Sequence, residues 1–237
     1  MKTGFVTLCV GKTHIDYSAL TDRLAISLKE QIGADLHVYT YDNEFETIAE
    51  SNVVRIPTFS SAPKNMNACF NFNLKGIVTH HFFNNSDYDQ VVFLDCDIVM
   101  NNATNAFQAE MFEKDIWGNY SEFGEAHVSL QSGDKFRMIA DLLDISHDIF
   151  VGALYFSETI FMFNRTDKSK EVLGKWAEIC EAVSQTKINP AYECVEFGIA
   201  LRQSGGVECG KLNTTTLRTD NVFSTEHRDK MLPVVQN

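Results

Sequence analysis

Several kinds of protein are excluded by what this chain lacks. No apolar run approaches the length that spans a bilayer. Met1-Lys2-Thr3 leads straight into a strand-like stretch, without the apolar core or small-residue cleavage site of a signal peptide. Both absences predict a soluble, cytoplasmic protein with no membrane segment. The six cysteines, at 9, 69, 96, 180, 194 and 209, form no C-x-x-C pair and meet no histidine at zinc-finger spacing. Reduced thiols are therefore expected, not a disulfide framework. Without entry to a secretory route, triplets such as Asn102-Ala103-Thr104 and Asn164-Arg165-Thr166 carry no weight as glycosylation sites.

Positive charge is also short. The net charge is −12, which disfavours non-specific adhesion to nucleic acid or anionic membrane. Its distribution is uneven. From Arg202 onward five basic residues meet four acidic ones, which leaves −13 for the first 201 residues. An anionic ligand is met more easily by the tail than by the body. Glycine is missing where a phosphate loop needs it: Gly11-Lys12-Thr13 has Val6 five residues before the Gly-Lys pair, so the motif is rejected. Nor is there any repeat, low-complexity tract or linker that would divide the 237 residues, a length that suits one large domain.

What is present centres on Val91-Val92-Phe93-Leu94-Asp95-Cys96-Asp97-Ile98-Val99-Met100. Four apolar residues without alternation read as a strand covered on both faces, as in a parallel sheet. Two carboxylates then stand at its C-terminal end, where open α/β sheets bind ligands. In extended chain, spacing i, i+2 points both to one side. Their mutual repulsion is relieved by a divalent cation. Asp87-Tyr88-Asp89 has the same spacing but follows Asn84-Asn85-Ser86, and reads as a solvated turn.

Around this strand the pattern is α/β. Phe5 to Val10 predicts a buried first strand. Ser18 is the expected N-cap of a helix with Leu20, Leu24, Leu28 and Ile32 on one face, stopped by Gly33. Leu36 to Tyr41 follows as a second strand, so the first two strands should pair in parallel. Val53 to Ile56 is a short strand ended by Pro57. A helix between Asn65 and Phe83 places Phe70, Leu74, Ile77 or Val78, and His81 on one face, with Lys75 its one cation. Adjacent His80 and His81 diverge on a helix and do not make a metal pair. Short helix from Phe107 to Phe112, strand from Asp115 to Tyr120 and strand from Glu158 to Phe163 come next. Residues 121–150 read as an acidic, polar insertion with a helix at Asp134 to Leu143. Lys168 to Val183 is strongly amphipathic, with Val172, Leu173, Trp176, Ile179, Cys180 and Val183 inward. A last helix runs from Glu193 to Leu201, with short β pieces near Val207 and Val222.

Several of these pieces, in this order, resemble the metal-dependent nucleotide-sugar glycosyltransferases of the GT-A fold, in particular the glycogenin-like branch. Phe93-Leu94-Asp95-Cys96-Asp97 resembles the strand and D-x-D of that family. Leu8 to Tyr17 and the helix after it resemble its opening strand and base-contacting loop. Glu158 to Asn164 resembles its Asn-Ser-Gly strand, although the Asn-Ser-Gly is absent. Glu196-Phe197-Gly198-Ile199 resembles its Asp-Gln-Gly-Ile. The resemblance implies one GT-A, Rossmann-like domain over 1–237, with a mainly parallel central sheet flanked by helices. Its nucleotide-binding half is about 1–100 and its acceptor-side half about 101–237.

The resemblance also implies site residues. Asp95, Asp97 and His227 would hold Mn²⁺ or Mg²⁺. Thr7, Cys9, Tyr17, Lys75, Asp95, Cys96, Arg228 and Lys230 would contact the donor, a nucleotide sugar linked to UDP. A hard, mostly oxygen donor set suits those ions better than zinc. Glu193 and Glu196, one helical turn apart, offer an acceptor base or a stabiliser of an oxocarbenium-like centre; the other reading is an exposed acidic helix face. The expected activity is hexosyl or pentosyl transfer to a carbohydrate, a protein or a modified DNA base, DNA being disfavoured by the net charge. Two other readings stand beside it. A nucleotidyltransferase shares the sheet and the metal but usually has a Gly-rich first loop. A non-catalytic binding protein on the same fold would have little need of Asp95 and Asp97.

Overall fold

The computed structural model describes residues 1–9, 16–40, 51–55, 74–101, 109–122, 133–184, 193–212 and 218–221. Their elements are β1 (Thr3–Cys9), α1 (Tyr17–Ile32), β2 (Leu36–Thr40), β3 (Ser51–Arg55), α2 (Leu74–Asn85), β4 (Gln90–Leu94), β5 (Ile98–Asn101), β6 (Ile116–Glu122), α3 (Gly133–Leu142), β7 (Leu154–Asn164), α4 (Asp167–Ser184), α5 (Glu193–Ser204), β8 (Cys209–Lys211) and β9 (Arg218–Asn221). Short 3-10 turns lie at Ala109–Phe112 and His147–Phe150. The fold is α/β with mostly parallel pairing, as the sequence predicts. β1 with β2, β2 with β3 and β6 with β8 are parallel; β6 with β7 and β5 with β9 are antiparallel. Among the described residues no helix is long and apolar enough to cross a membrane, and Cys9, Cys96, Cys180, Cys194 and Cys209 are free thiols.

The chain forms two compact units that alternate along the sequence. The first contains most of β1, then α1, β2, β3, β5 and β9. Here the leucine ladder does what its spacing predicts: Leu20, Leu24 and Leu28 are buried. Gly33 ends α1 in the left-handed region (φ 73°), and its N–H donates to Lys29 O at 2.9 Å, a conformation that costs glycine nothing. The N-cap is Asp16, two residues before the expected Ser18. Its carboxylate accepts from Ala19 N at 3.1 Å and its carbonyl from Leu20 N at 3.2 Å. An aspartate offers a full charge to the helix N-terminus where serine offers only a dipole, and the helix starts earlier. α1 packs on β5. Ser27 Oγ, buried, donates to Leu24 O at 2.8 Å and accepts from Met100 N at 3.0 Å, which fixes β5 against the helix.

The second unit carries nearly all of β4 with β6, β7, β8, α2, α3, α4 and α5. Every residue of β4 is buried, including Gln90. Gln90 is tolerated there because its Nε2 donates to Asn164 Oδ1 at 2.8 Å and to Met111 O at 3.2 Å. All six inward residues expected on α4 are buried, and Trp176 joins Phe161, Phe163 and Phe197 in one aromatic core, ring centroids 4.9 to 6.4 Å apart. α2 packs on α4, and α4 on α5. A Cβ at Gly76 would lie 2.7 Å from Cys180 Sγ and 2.9 Å from the Trp176 ring. Glycine is what lets the two helices approach that closely.

On α2 the expected Leu74 and Val78 are buried, His81 is not, and Phe70 lies outside the described residues. Lys75, Val78, Thr79, Phe82 and Phe83 are buried, while His81 is exposed. Two consecutive phenylalanines bury more apolar surface than an Ile–His pair, and they set the inward direction. Asn164 is buried and donates to Met111 O at 2.7 Å, so its N-x-T triplet has no accessible acceptor.

Candidate functional site

β4 delivers the chain into Asp95-Cys96-Asp97, and the geometry there differs from the extended one expected. Ile98 N donates to Asp95 O at 3.4 Å, so the three residues form a turn between β4 and β5. Aspartate is favoured in such turns because its short carboxylate tolerates the backbone geometry. The argument that extended chain places both carboxylates on one side therefore does not hold. Cys96 is buried in the middle of the turn, and Asp95 and Asp97 on either side are both partly exposed. Two acidic side chains two residues apart thus stay in reach of solvent at the end of a fully buried strand.

Tyr17, the first residue of α1, belongs to the same unit and feels this turn. It is buried, and its phenol is held well above its usual pKa. Burial is the largest cause, and the charges of Cys96, Asp97 and Asp95 add to it. The phenol keeps its proton at any physiological pH and is a hydrogen-bond donor beside an acidic turn. The Asp16 cap is the device that places it, and the sequence carried that signal as a second N-cap type two residues before Ser18.

Thr7 and Cys9 lie on one side of β1, opposite Val38 and Thr40 of β2, and both are fully buried. Thr7 Oγ1 has no hydrogen-bond partner among the described residues. Lys75 is buried as well, 4 % exposed, with Nζ 5.8 Å from the Phe93 ring centroid; it is not a solvated helix lysine. Glu193 is the first residue of α5. Glu196, one turn on, is 1 % exposed, and Cys180 Sγ donates to its Oε2 at 3.2 Å. An exposed acidic face is thereby overturned for Glu196. His227, Arg228 and Lys230 lie outside the described residues.

For a divalent cation, the turn after β4 offers the two partly exposed carboxylates of Asp95 and Asp97. Among the described residues no group of three or more His, Cys, Asp or Glu side chains converges on a point. That donor set fits Mg²⁺ or Mn²⁺, which are commonly held by one or two carboxylates with waters and ligand phosphates completing the shell. It does not fit a structural zinc site, which takes four protein ligands. His80 Nε2 lies 2.8 Å from Asn84 Nδ2, a contact along its own helix.

No family model matches the chain, and no curated protein matches it. Among solved structures it is similar to galactosyltransferase LgtC in complex with donor and acceptor sugar analogs, at 18% identity and a TM-score of 0.45, over 90% of this chain and 74% of that one. An active-site mutant of LgtC gives 18% identity and a TM-score of 0.43, over 90% and 73%. A likeness of that size says nothing about activity, so function has to be read from the chain's own residues.

Proposed function

We propose that the protein is a metal-dependent glycosyltransferase that takes a sugar from a nucleoside-diphosphate sugar. The observation that carries this reading is the turn after β4: Asp95 and Asp97 partly exposed, Cys96 buried between them, and the protonated Tyr17 phenol within their field. Its support in sequence is the resemblance of Phe93 to Asp97 to the strand and D-x-D of the GT-A transferases.

The chemistry follows from charge. Breaking the bond between a sugar and a nucleoside diphosphate leaves negative charge on the departing diphosphate, and that charge must be neutralised as it develops. A bound Mg²⁺ or Mn²⁺ would supply that neutralisation as a Lewis acid. Asp95 and Asp97 would hold the ion by hard oxygen atoms. Their position on a turn fixed to a buried strand keeps them from relaxing apart. Tyr17, unable to ionise at neutral pH, would donate its O–H to the donor without adding negative charge to a site that already has two carboxylates.

Donor hydrolysis tests the reading without knowledge of the acceptor. A panel of nucleotide sugars is incubated with the protein and Mn²⁺, and turnover is followed by mass spectrometry with and without chelator. At least one UDP-linked donor should be hydrolysed only with metal, and Asp95→Ala or Asp97→Ala should lower that rate by at least about 100-fold. Thermal unfolding of the same variants should show an intact fold. Metal-independent turnover, or near-normal rates in both variants, would remove the assignment. Binding of UDP and Mn²⁺ without any turnover would instead favour a non-catalytic binding protein.

A further inference from the structure

Serine inside a helix commonly turns its hydroxyl back on a carbonyl of the preceding turn. Ser27 of α1 does so, donating to Leu24 O at 2.8 Å, as Ser204 of α5 donates to Ala200 O at 2.9 Å. Ser27 also does something else. A hydroxyl that donates still has lone pairs to offer, and Met100 N of β5 donates to Ser27 Oγ at 3.0 Å. Both residues are buried, so water does not compete for either group.

β5 has a use for such a tie. It is short, Ile98–Asn101, and it pairs antiparallel with β9 in a sheet of two strands. In an antiparallel ladder alternate residues turn their N–H away from the partner strand. A buried N–H so turned must find another acceptor. Met100 finds it in α1, where a wider sheet would supply a third strand. Asp97 stands three residues earlier, roughly 10 Å along the chain. The turn between is closed by Ile98 N on Asp95 O at 3.4 Å. β5 is thus the exit support of the turn that carries both carboxylates.

We propose that Ser27 is a positioning residue for the metal site: by holding the Met100 N–H it fixes the exit of the Asp95–Asp97 turn on α1. The proposal rests on the reading of Asp95 and Asp97 as metal ligands. Ser27 acts through the backbone of β5, and its loss leaves both carboxylates in place on a looser support.

Ser27→Ala removes the acceptor and leaves a buried N–H without one. In the unaltered protein the Met100 N–H should exchange slowly with deuterium, and in Ser27→Ala at least about tenfold faster. Mn²⁺, titrated calorimetrically in the presence of UDP, should bind Ser27→Ala roughly tenfold more weakly, the lower end of what supporting residues around a metal cost. Ser27→Thr keeps the oxygen and should restore both. Ser204→Ala deletes a buried helix hydroxyl that holds no strand, and should leave the Mn²⁺ affinity unchanged. Should Ser27→Ala not fold, Ser27→Cys, with a weak acceptor at the same place, is read in the same way. Rapid exchange of the Met100 N–H in the unaltered protein, or equal Mn²⁺ affinity with and without the Ser27 hydroxyl, overturns the proposal. An unaltered protein that binds no Mn²⁺ with UDP is a different result: it removes the metal reading of Asp95 and Asp97, and the role of Ser27 with it.

Discussion

Two acidic pairs of identical spacing flank β4, and they have opposite fates. Asp87 and Asp89 precede the strand; both are exposed, and both are satisfied by one residue. Lys2 Nζ lies 3.1 Å from Asp87 Oδ2, and the Lys2 backbone N–H donates to Asp89 Oδ2 at 2.7 Å. Asp95 and Asp97 follow the strand, stay partly exposed on a turn, and act on Tyr17. The difference lies in what the backbone does next. Before β4 the chain is an exposed polar segment tied by Lys2 and Arg165, both basic. After β4 it is a turn whose middle residue is buried and whose exit strand is held by Ser27. Spacing is the same; the neighbouring groups differ, basic before the strand and a buried phenol after it.

The largest effect should appear when Mn²⁺ binding is measured directly, by titration calorimetry with and without UDP. Asp95→Asn or Asp97→Asn should weaken it by more than about tenfold, since on the proposed function each would remove a direct ligand, where even outer partners matter that much. Asp87→Asn and Asp89→Asn should leave it within error. If the pairs respond alike, the contrast between them is only one of position.

Much of this contrast was legible in the sequence, and the illegible part has a physical reason. The apolar run of β4, the leucine ladder of α1 and the inward face of α4 are read from periodicity, because burial of that kind is repeated along one element. The Asp87–Asp89 pair was read from its polar neighbours. The turn at Asp95 was not, since an apolar run tells where a strand is covered and not where its ladder stops. Burial of Lys75 and Glu196 was equally hidden. Each is a single ionisable residue on a helix, and only the packing of α2, α4 and α5 shows that both face inward. The outward place of His81 on α2 has the same cause: Phe82 and Phe83, next to it, take the inward positions in the packing.

A smaller effect should separate the turn from the loop at alkaline pH. The Tyr17 phenol is raised above its ordinary value of 10.0, and Tyr39, buried in β2, is raised to about 12. A group whose pKa is higher folded than unfolded stabilises the fold fully below the unfolded value, and that contribution is lost as pH rises through the folded one. Stability should therefore fall from about pH 10 upward. Tyr17→Phe should flatten part of that fall, and Tyr39→Phe another part. Melting curves between neutral pH and pH 11 would show it, as would a late tyrosinate absorbance step. An alkaline limb unchanged in both variants would mean that neither phenol is held as described.

The smallest effect belongs to the pair before the strand. Lys2 lowers the pKa of Asp87, first through a side-chain hydrogen bond and then through its charge. A depressed carboxyl stabilises the fold above its unfolded value of 3.8 and loses that contribution as pH falls through the folded one. Both side chains are largely exposed, so solvent screens the attraction and their ordering entropy opposes it. Lys2→Met should therefore leave Tm at neutral pH unchanged within error and alter only the acid limb of the stability curve. Salt should remove even that difference. The backbone N–H that Asp89 accepts from is kept in this variant, so the loop itself stays tied. A large, salt-insensitive loss of stability in Lys2→Met would show that the first pair is as firmly built as the second, and the contrast drawn across β4 would then have to rest on the turn at Cys96 alone.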